Sequence, residues 1–226
     1  GASTGNMLVG NEETLDTVFS IKKLPLACHC EDEKIIKANS VAYREEYGDQ
    51  IDPSFHPLIR SRQACLVSST AAVNRALRLG TRLHLLHLST AEETGLLTAG
   101  HDPAFKQITG EACVHHLWFD DSFYREKGNL IKWNPAIKKV SDRESLIKAV
   151  KNGSIDIIAT DHSPHTLAEK SAPYFSAPSG GPLVQHSLVM MLELCHRGIL
   201  TPEIVVQKMC HNPAIIFNIR ERGFIR

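Results

Sequence analysis

The sequence predicts a parallel α/β sheet flanked by helices, and three observations carry that expectation. Short apolar runs of strand length alternate with helix-length amphipathic segments, the pattern of parallel strands joined by crossover helices. Four of those runs end abruptly on His or Asp: at His29, His87, the pair His115-His116, and Asp161. An open doubly wound sheet fits the alternation equally well, but in a barrel four such ends converge on one face, which favours a TIM-barrel-like α/β fold. The third observation is Ile155-Asp156-Ile157-Ile158-Ala159-Thr160-Asp161-His162-Ser163-Pro164-His165. A β-branched strand discharges a carboxylate and two imidazoles there, and turns rarely carry two histidines. Asp161 is therefore the candidate catalytic or metal-bound carboxylate.

Taken in order, the chain opens on Gly1-Ala2-Ser3-Thr4-Gly5-Asn6, a loop of small residues with no strand before it, an opening expected of a fragment. It lacks the Gly-Lys-Ser/Thr ending of a phosphate loop. Residues 24–28 read as a short buried strand ending at His29. Residues 32–47 form an amphipathic helix with Ile35, Ile36, Val41 and Ala42 on its apolar side and Gly48 as its stop. A second helix runs over 61–79 and closes at Gly80. Residues 82–87 are the next strand, after which Ser89 and Glu92 form a capping box. Residues 106–113 are the third strand, Trp133-Asn134-Pro135 a loop, and Ser141 with Glu144 caps a helix to Val150. The Asp161 strand is the fourth. A loop rich in Pro, Ser and Gly (171–182) precedes a helix over 183–196 stopped by Gly198, and Thr201-Pro202 starts another.

Composition narrows the function classes. The 226 residues suffice for a full core. With 25 basic and 25 acidic side chains the formal charge is zero, so no electrostatic footprint for nucleic acid or an anionic membrane exists. No apolar run reaches the roughly 18 residues of a membrane helix, and nothing resembles a signal peptide, so the cytoplasm is the default location. Six cysteines in a chain of this size do not make a disulfide scaffold. Cys65, Cys113 and Cys195 lie in apolar segments, where a reduced thiol is a small hydrophobe.

Strand alternation selects among the histidines. His84 and His87 are an odd number of residues apart and face opposite ways in a strand, so His87 at the strand end is the better placed. His115 and His116 likewise cannot both face inward. His29, His87 and Asp161 form the minimal set, and two imidazoles with a carboxylate suit zinc or a similar divalent ion. Cys28-His29-Cys30 has no second Cys/His pair at structural-zinc spacing, so both thiols are read as packing. Ser163 and Ser179 lack the G-x-S-x-G elbow of a nucleophile.

Ala27-Cys28-His29-Cys30-Glu31, His84-Leu85-Leu86-His87, Gly110-Glu111-Ala112-Cys113-Val114-His115-His116-Leu117, Asn134-Pro135 and Asp161-His162-Ser163-Pro164-His165-Thr166 together resemble the dihydroorotases of the amidohydrolase superfamily. The resemblance continues through Pro178-Ser179-Gly180-Gly181-Pro182 and His211-Asn212-Pro213-Ala214. It implies a distorted barrel of which this chain carries roughly strands five to eight, over residues 1–217, with 218–226 as the entry to a small β domain. It also implies metal ligation by His29, His87 and Asp161, with Asp161 doubling as proton shuttle. Substrate contacts fall to Asn134, His165 and the backbone of Ala177-Pro178, and His115-His116 carries no ligand role. The implied reaction interconverts L-dihydroorotate and N-carbamoyl-L-aspartate in pyrimidine synthesis, using one or two divalent ions. The family's first-strand His-x-His, its substrate-binding arginine and its carboxylated bridging lysine would lie upstream of Gly1. Expected partners are a small-molecule substrate, a second copy in a homodimer and aspartate transcarbamoylase. Related readings are a dihydropyrimidinase, hydantoinase or allantoinase, or an inactive scaffold for aspartate transcarbamoylase.

Overall fold

The computed structural model describes residues 11–225, and the Gly1–Asn6 loop lies outside them. Four strands, β1 (Leu26–Cys28), β2 (Leu83–Leu85), β3 (Ile108–Cys113) and β4 (Ile157–Ala159), form one sheet in the order β1-β2-β3-β4. Every pairing is parallel, with Leu26 opposite Leu83, Leu83 opposite Ile108, and Glu111 opposite Ile157. A doubly wound sheet reverses its strand order at a switch point. This one runs on in sequence order, as half of a barrel does, and the open-sheet alternative falls.

Helices cross between the strands and cover the sheet. Glu33–Tyr47 starts at Asp32, whose side chain accepts from the Ile35 N–H at 2.9 Å, and stops at Gly48. Arg62–Leu79 starts at Ser61 and ends at Gly80, whose φ of 67° is a left-handed cap that glycine adopts without steric cost. Its buried side chains, Ala64, Cys65, Ser69, Ala72, Val73 and Ala76, make one face at helical spacing. Ala72, Val73 and Ala76 join Leu83, Leu85, Ala112 and Ile158 in the main core, while Ala64 packs in a second cluster with Ile36, Ile51, Ile59 and Tyr174. A helix the sequence reading passed over, Glu12–Phe19, buries Phe19 against that core.

Two caps sit elsewhere than expected. The capping box after β2 is Thr90 with Glu93, not Ser89 with Glu92. Thr90 is extended at φ −126°, and its N–H and hydroxyl both reach the buried Glu93 carboxylate. The helix expected from Ser141 begins earlier, as Val140–Asn152, because Asp142 reaches back to the Lys139 N–H at 3.2 Å and also pairs with Arg62. His115 and His116 lie in a short helix, Val114–Trp118, so strand alternation does not govern them.

The N-terminal ends of β3 and β4 are locked by buried polar groups. Lys106 pairs with Asp156 at 2.7 Å, Asp156 also accepts from the Gly110 N–H, and Lys208 donates to the Ile155 carbonyl. Past the last helix, Asn212–Ile216, residues 218–225 form turns and bends. No helix of the described residues is long and apolar enough to cross a membrane.

Candidate metal centre

The C-terminal ends of the strands carry the chemistry. His29 follows β1 directly, while His87 and Asp161 each lie two residues beyond their strands. Both of the latter have left turned backbones, with φ of 38° for His87 and 45° for Asp161. Side chains with a Cβ rarely adopt that region, and the strain costs about 1–3 kcal/mol per residue. Because His87 has left the strand, its direction is set by this turn and not by alternation with His84. His84 stays in β2, fully buried, with Thr109 at 2.8 Å and Glu111 at 3.1 Å. Glu111 also accepts from the His87 backbone N–H at 3.3 Å and so braces the turn.

The His29 Nδ1 and His87 Nε2 atoms converge to 2.9 Å, with the rings edge to face. On its far side, His29 Nε2 lies 3.1 Å from the Glu31 carboxylate, which Arg60 also grips. His29 thus turns Nε2 toward that carboxylate and Nδ1 toward His87. Burial pushes the Glu31 carboxyl up, but Arg60 and His29 outweigh it and hold it at about 2. Burial, then the nearby His29, lowers His87 to about 4, so it is a neutral donor at pH 7.

Asp161 lines a cavity with these two histidines, from its exposed side. Its environment desolvates the carboxyl and Glu111 repels its charge, so its pKa rises despite the opposing pull of His29. His29, His87, Asp161 and Asn134 line one cavity of about 250 Å³, with Leu86, Ser163, Ser179 and Gly180. Asn134 Oδ1 is buried there without a protein partner. Two convergent imidazole nitrogens, a carboxylate, and a second carboxylate fixing one imidazole fit a divalent ion of the zinc type. His29 Nδ1, His87 Nε2 and the Asp161 carboxylate would hold it.

His165, Ala177 and Pro178 stand outside that lining. His165 Nε2 meets the Ser179 carbonyl at 3.2 Å. The Ala177 N–H donates to Pro173, and its carbonyl accepts from Lys132 at 2.6 Å. The Pro178 carbonyl accepts from Lys170 at 3.0 Å. These two lysines, both lowered to about 8 and chiefly by burial, pin the loop against the cavity. Gly180 and Gly181 permit the closeness, since an added Cβ would come within 2.6 Å of the Ser163 carbonyl or 2.4 Å of the Trp133 ring. Cys28 and Cys30 are free thiols, the first raised to about 11 and the second higher still by burial, as packing residues would be.

Sequence reasoning missed Glu31, Arg60 and Glu111 as parts of the site. The signal for Glu31 was its place two residues after His29; nothing local announced Arg60.

No protein-family model matches the chain. Among curated proteins it is 30% identical over 217 residues to a dihydroorotase of Methanothermobacter thermautotrophicus, covering 94% of this chain and 48% of that protein. It is 37% identical over 162 residues to a dihydroorotase of Halobacterium salinarum, covering 70% of this chain and 37% of that one. The chain thus spans about half the length of the curated relatives it matches, or less. The L-hydantoinase (dihydropyrimidinase) of Arthrobacter aurescens superposes with a TM-score of 0.89 at 21% identity, over 100% of this chain and 51% of that one. That likeness shows the α/β barrel fold, of which this chain matches about half. Along nearly its whole length, then, this chain is similar in sequence to about half of a dihydroorotase.

Proposed function

We propose that this chain supplies the second half of a metal-dependent cyclic-amide hydrolase acting on L-dihydroorotate. The observation that carries the reading is the convergence of His29 Nδ1 and His87 Nε2 at 2.9 Å in a cavity shared with Asp161. His29, His87 and Asp161 would hold a divalent ion of the zinc type, whose chemistry would be to polarise the amide carbonyl and acidify water at neutral pH. Asp161 accepts the proton of the attacking water on its carboxylate and delivers it to the ring nitrogen as the C–N bond breaks. Its raised pKa suits a group that must both take and return a proton. Asn134, with an unpartnered carbonyl in the cavity, contacts the substrate. The Ala177-Pro178 backbone, held by Lys132 and Lys170, shapes the approach. A cytoplasmic homodimer, an association with aspartate transcarbamoylase, and a small β domain opening at 218–226 accompany this reading through the family resemblance alone.

His165 decides between dihydroorotate and other cyclic amides. Turning its ring from Ser179 toward the cavity exchanges a carbonyl for the substrate carboxylate, a charge-assisted hydrogen bond worth about 1.5–3 kcal/mol. His165→Ala in the full-length enzyme should therefore lower kcat/KM for L-dihydroorotate roughly tenfold to hundredfold. Dihydrouracil, which lacks the carboxylate, should be turned over slowly and equally by both proteins. Equal losses on the two substrates would remove the case for dihydroorotate. A wild type that opens neither ring would refute the hydrolase reading.

A further inference from the structure

Three donors beside the strand-end site take no part in the reaction just described. Cys113, the last residue of β3, and His115 and His116 of the following helix bring one donor atom each within 4.8 Å of the others. All three are buried. Trp133 stacks on His115 with ring centroids 4.4 Å apart and holds it in place. Neither ring nitrogen of His115 has a protein partner, and neither does Nδ1 of His116. Buried polar atoms in native proteins nearly always have a partner, so three orphaned nitrogens in one cluster call for an occupant. The lone pairs are available. His116 Nε2 lies 3.1 Å from the Pro135 carbonyl and must be its protonated nitrogen, which leaves Nδ1 as a free acceptor.

We propose that Cys113, His115 and His116 form a second metal site, separate from the His29–His87–Asp161 set, that takes a thiophilic divalent ion such as Zn²⁺ or Cd²⁺. The donor set of one sulfur and two imidazoles selects soft and borderline ions over Mg²⁺ or Ca²⁺. Donors of a tetrahedral zinc site stand about 3.3–3.6 Å apart, as its bond lengths require. The three atoms, within 4.8 Å of one another, therefore need to close by at most about 1.2–1.5 Å, and a water takes the fourth position. Binding forms a sulfur–metal bond and breaks the S–H bond of Cys113, releasing one proton to solvent. Burial keeps both histidines neutral, His116 at about 3, so neither has a proton to lose. The expectation from sequence that this histidine pair is merely structural leaves its unpaired nitrogens unexplained.

The test is to strip the full-length protein of metal and titrate it with cadmium chloride alone. Bound cadmium is counted, and the ultraviolet thiolate-to-cadmium charge-transfer band is followed. The wild type should show the band for one equivalent. Cys113→Ala and His116→Ala should each weaken that equivalent by at least about a hundredfold, as loss of a direct ligand does. Cys28→Ala and Cys30→Ala should keep it. A band unchanged in Cys113→Ala, or one that disappears with Cys28 or Cys30, overturns the site. If the Cys113 and His116 variants do not fold, X-ray absorption on cadmium-loaded wild type decides. A sulfur neighbour beside nitrogens is expected, and a shell without sulfur overturns the proposal.

Discussion

His29 faces His87 with Nδ1 and the Glu31 carboxylate with Nε2, and Glu31 stays ionised in the interior because Arg60 pairs with it. Glu31→Gln keeps an acceptor but loses the charge, so affinity for a divalent ion should fall about 10–100-fold in chelator competition. The same residue gives a pH signature. Its folded pKa of about 2 lies below the ordinary 4.5, so its stabilisation is complete above pH 4.5 and is lost as pH falls toward 2. At neutral pH that contribution is about 3 kcal/mol, in order of magnitude. Urea unfolding should show the wild type's advantage over Glu31→Gln shrinking through that window; a constant difference would mean Glu31 is not held ionised. At this scale His29, His87 and Asp161 stand out in the sequence because each follows an apolar run, and the structure brings all three to one cavity. Glu31's role has no such mark, since it depends on an arginine 29 residues further on.

Elements were read well where a local signal set them. Asp32, Ser61, Gly48 and Gly80 bound their helices as the sequence predicts, because caps act within a few residues. The Ser-Thr-Ala-Glu-Glu stretch offers two overlapping boxes, and burial of Glu93 beside Ser69 chose the second. The buried Lys106–Asp156 pair had no local signature, since its partners are 50 residues apart. It ties β3 to β4 at the end of the sheet away from the His29–His87–Asp161 cavity. Burial pushes the Asp156 carboxyl up against the pull of Lys106, so the pair fixes register more than it adds net stability. Breaking it is another matter. Asp156→Ala leaves a buried lysine uncompensated and should cost about 3–5 kcal/mol in chemical unfolding. A loss under 1 kcal/mol, roughly that of an exposed pair, would show that water reaches Lys106.

For the molecule as a whole, the alternation of strands and helices was plain, but its closure was not, because apolar periodicity does not encode strand order. The parallel order β1-β2-β3-β4 is that of half a barrel and puts all the strand-end groups on one face. The edges of β1 and β4 have no strand partner among the described residues, and Val184, Leu188 and Leu192 make an exposed apolar stripe on the helix Val184–His196. Barrel closure removes edges of that kind. The central claim is that His29, His87 and Asp161 hold a divalent ion that L-dihydroorotate hydrolysis requires. It is tested most directly by stripping the full-length enzyme with a chelator, restoring zinc, and following ring opening. Turnover should vanish on stripping and return with zinc in the wild type, while His87→Ala should not recover and Asp161→Asn should regain metal without activity. A stripped protein that opens the ring at the original rate would contradict the account.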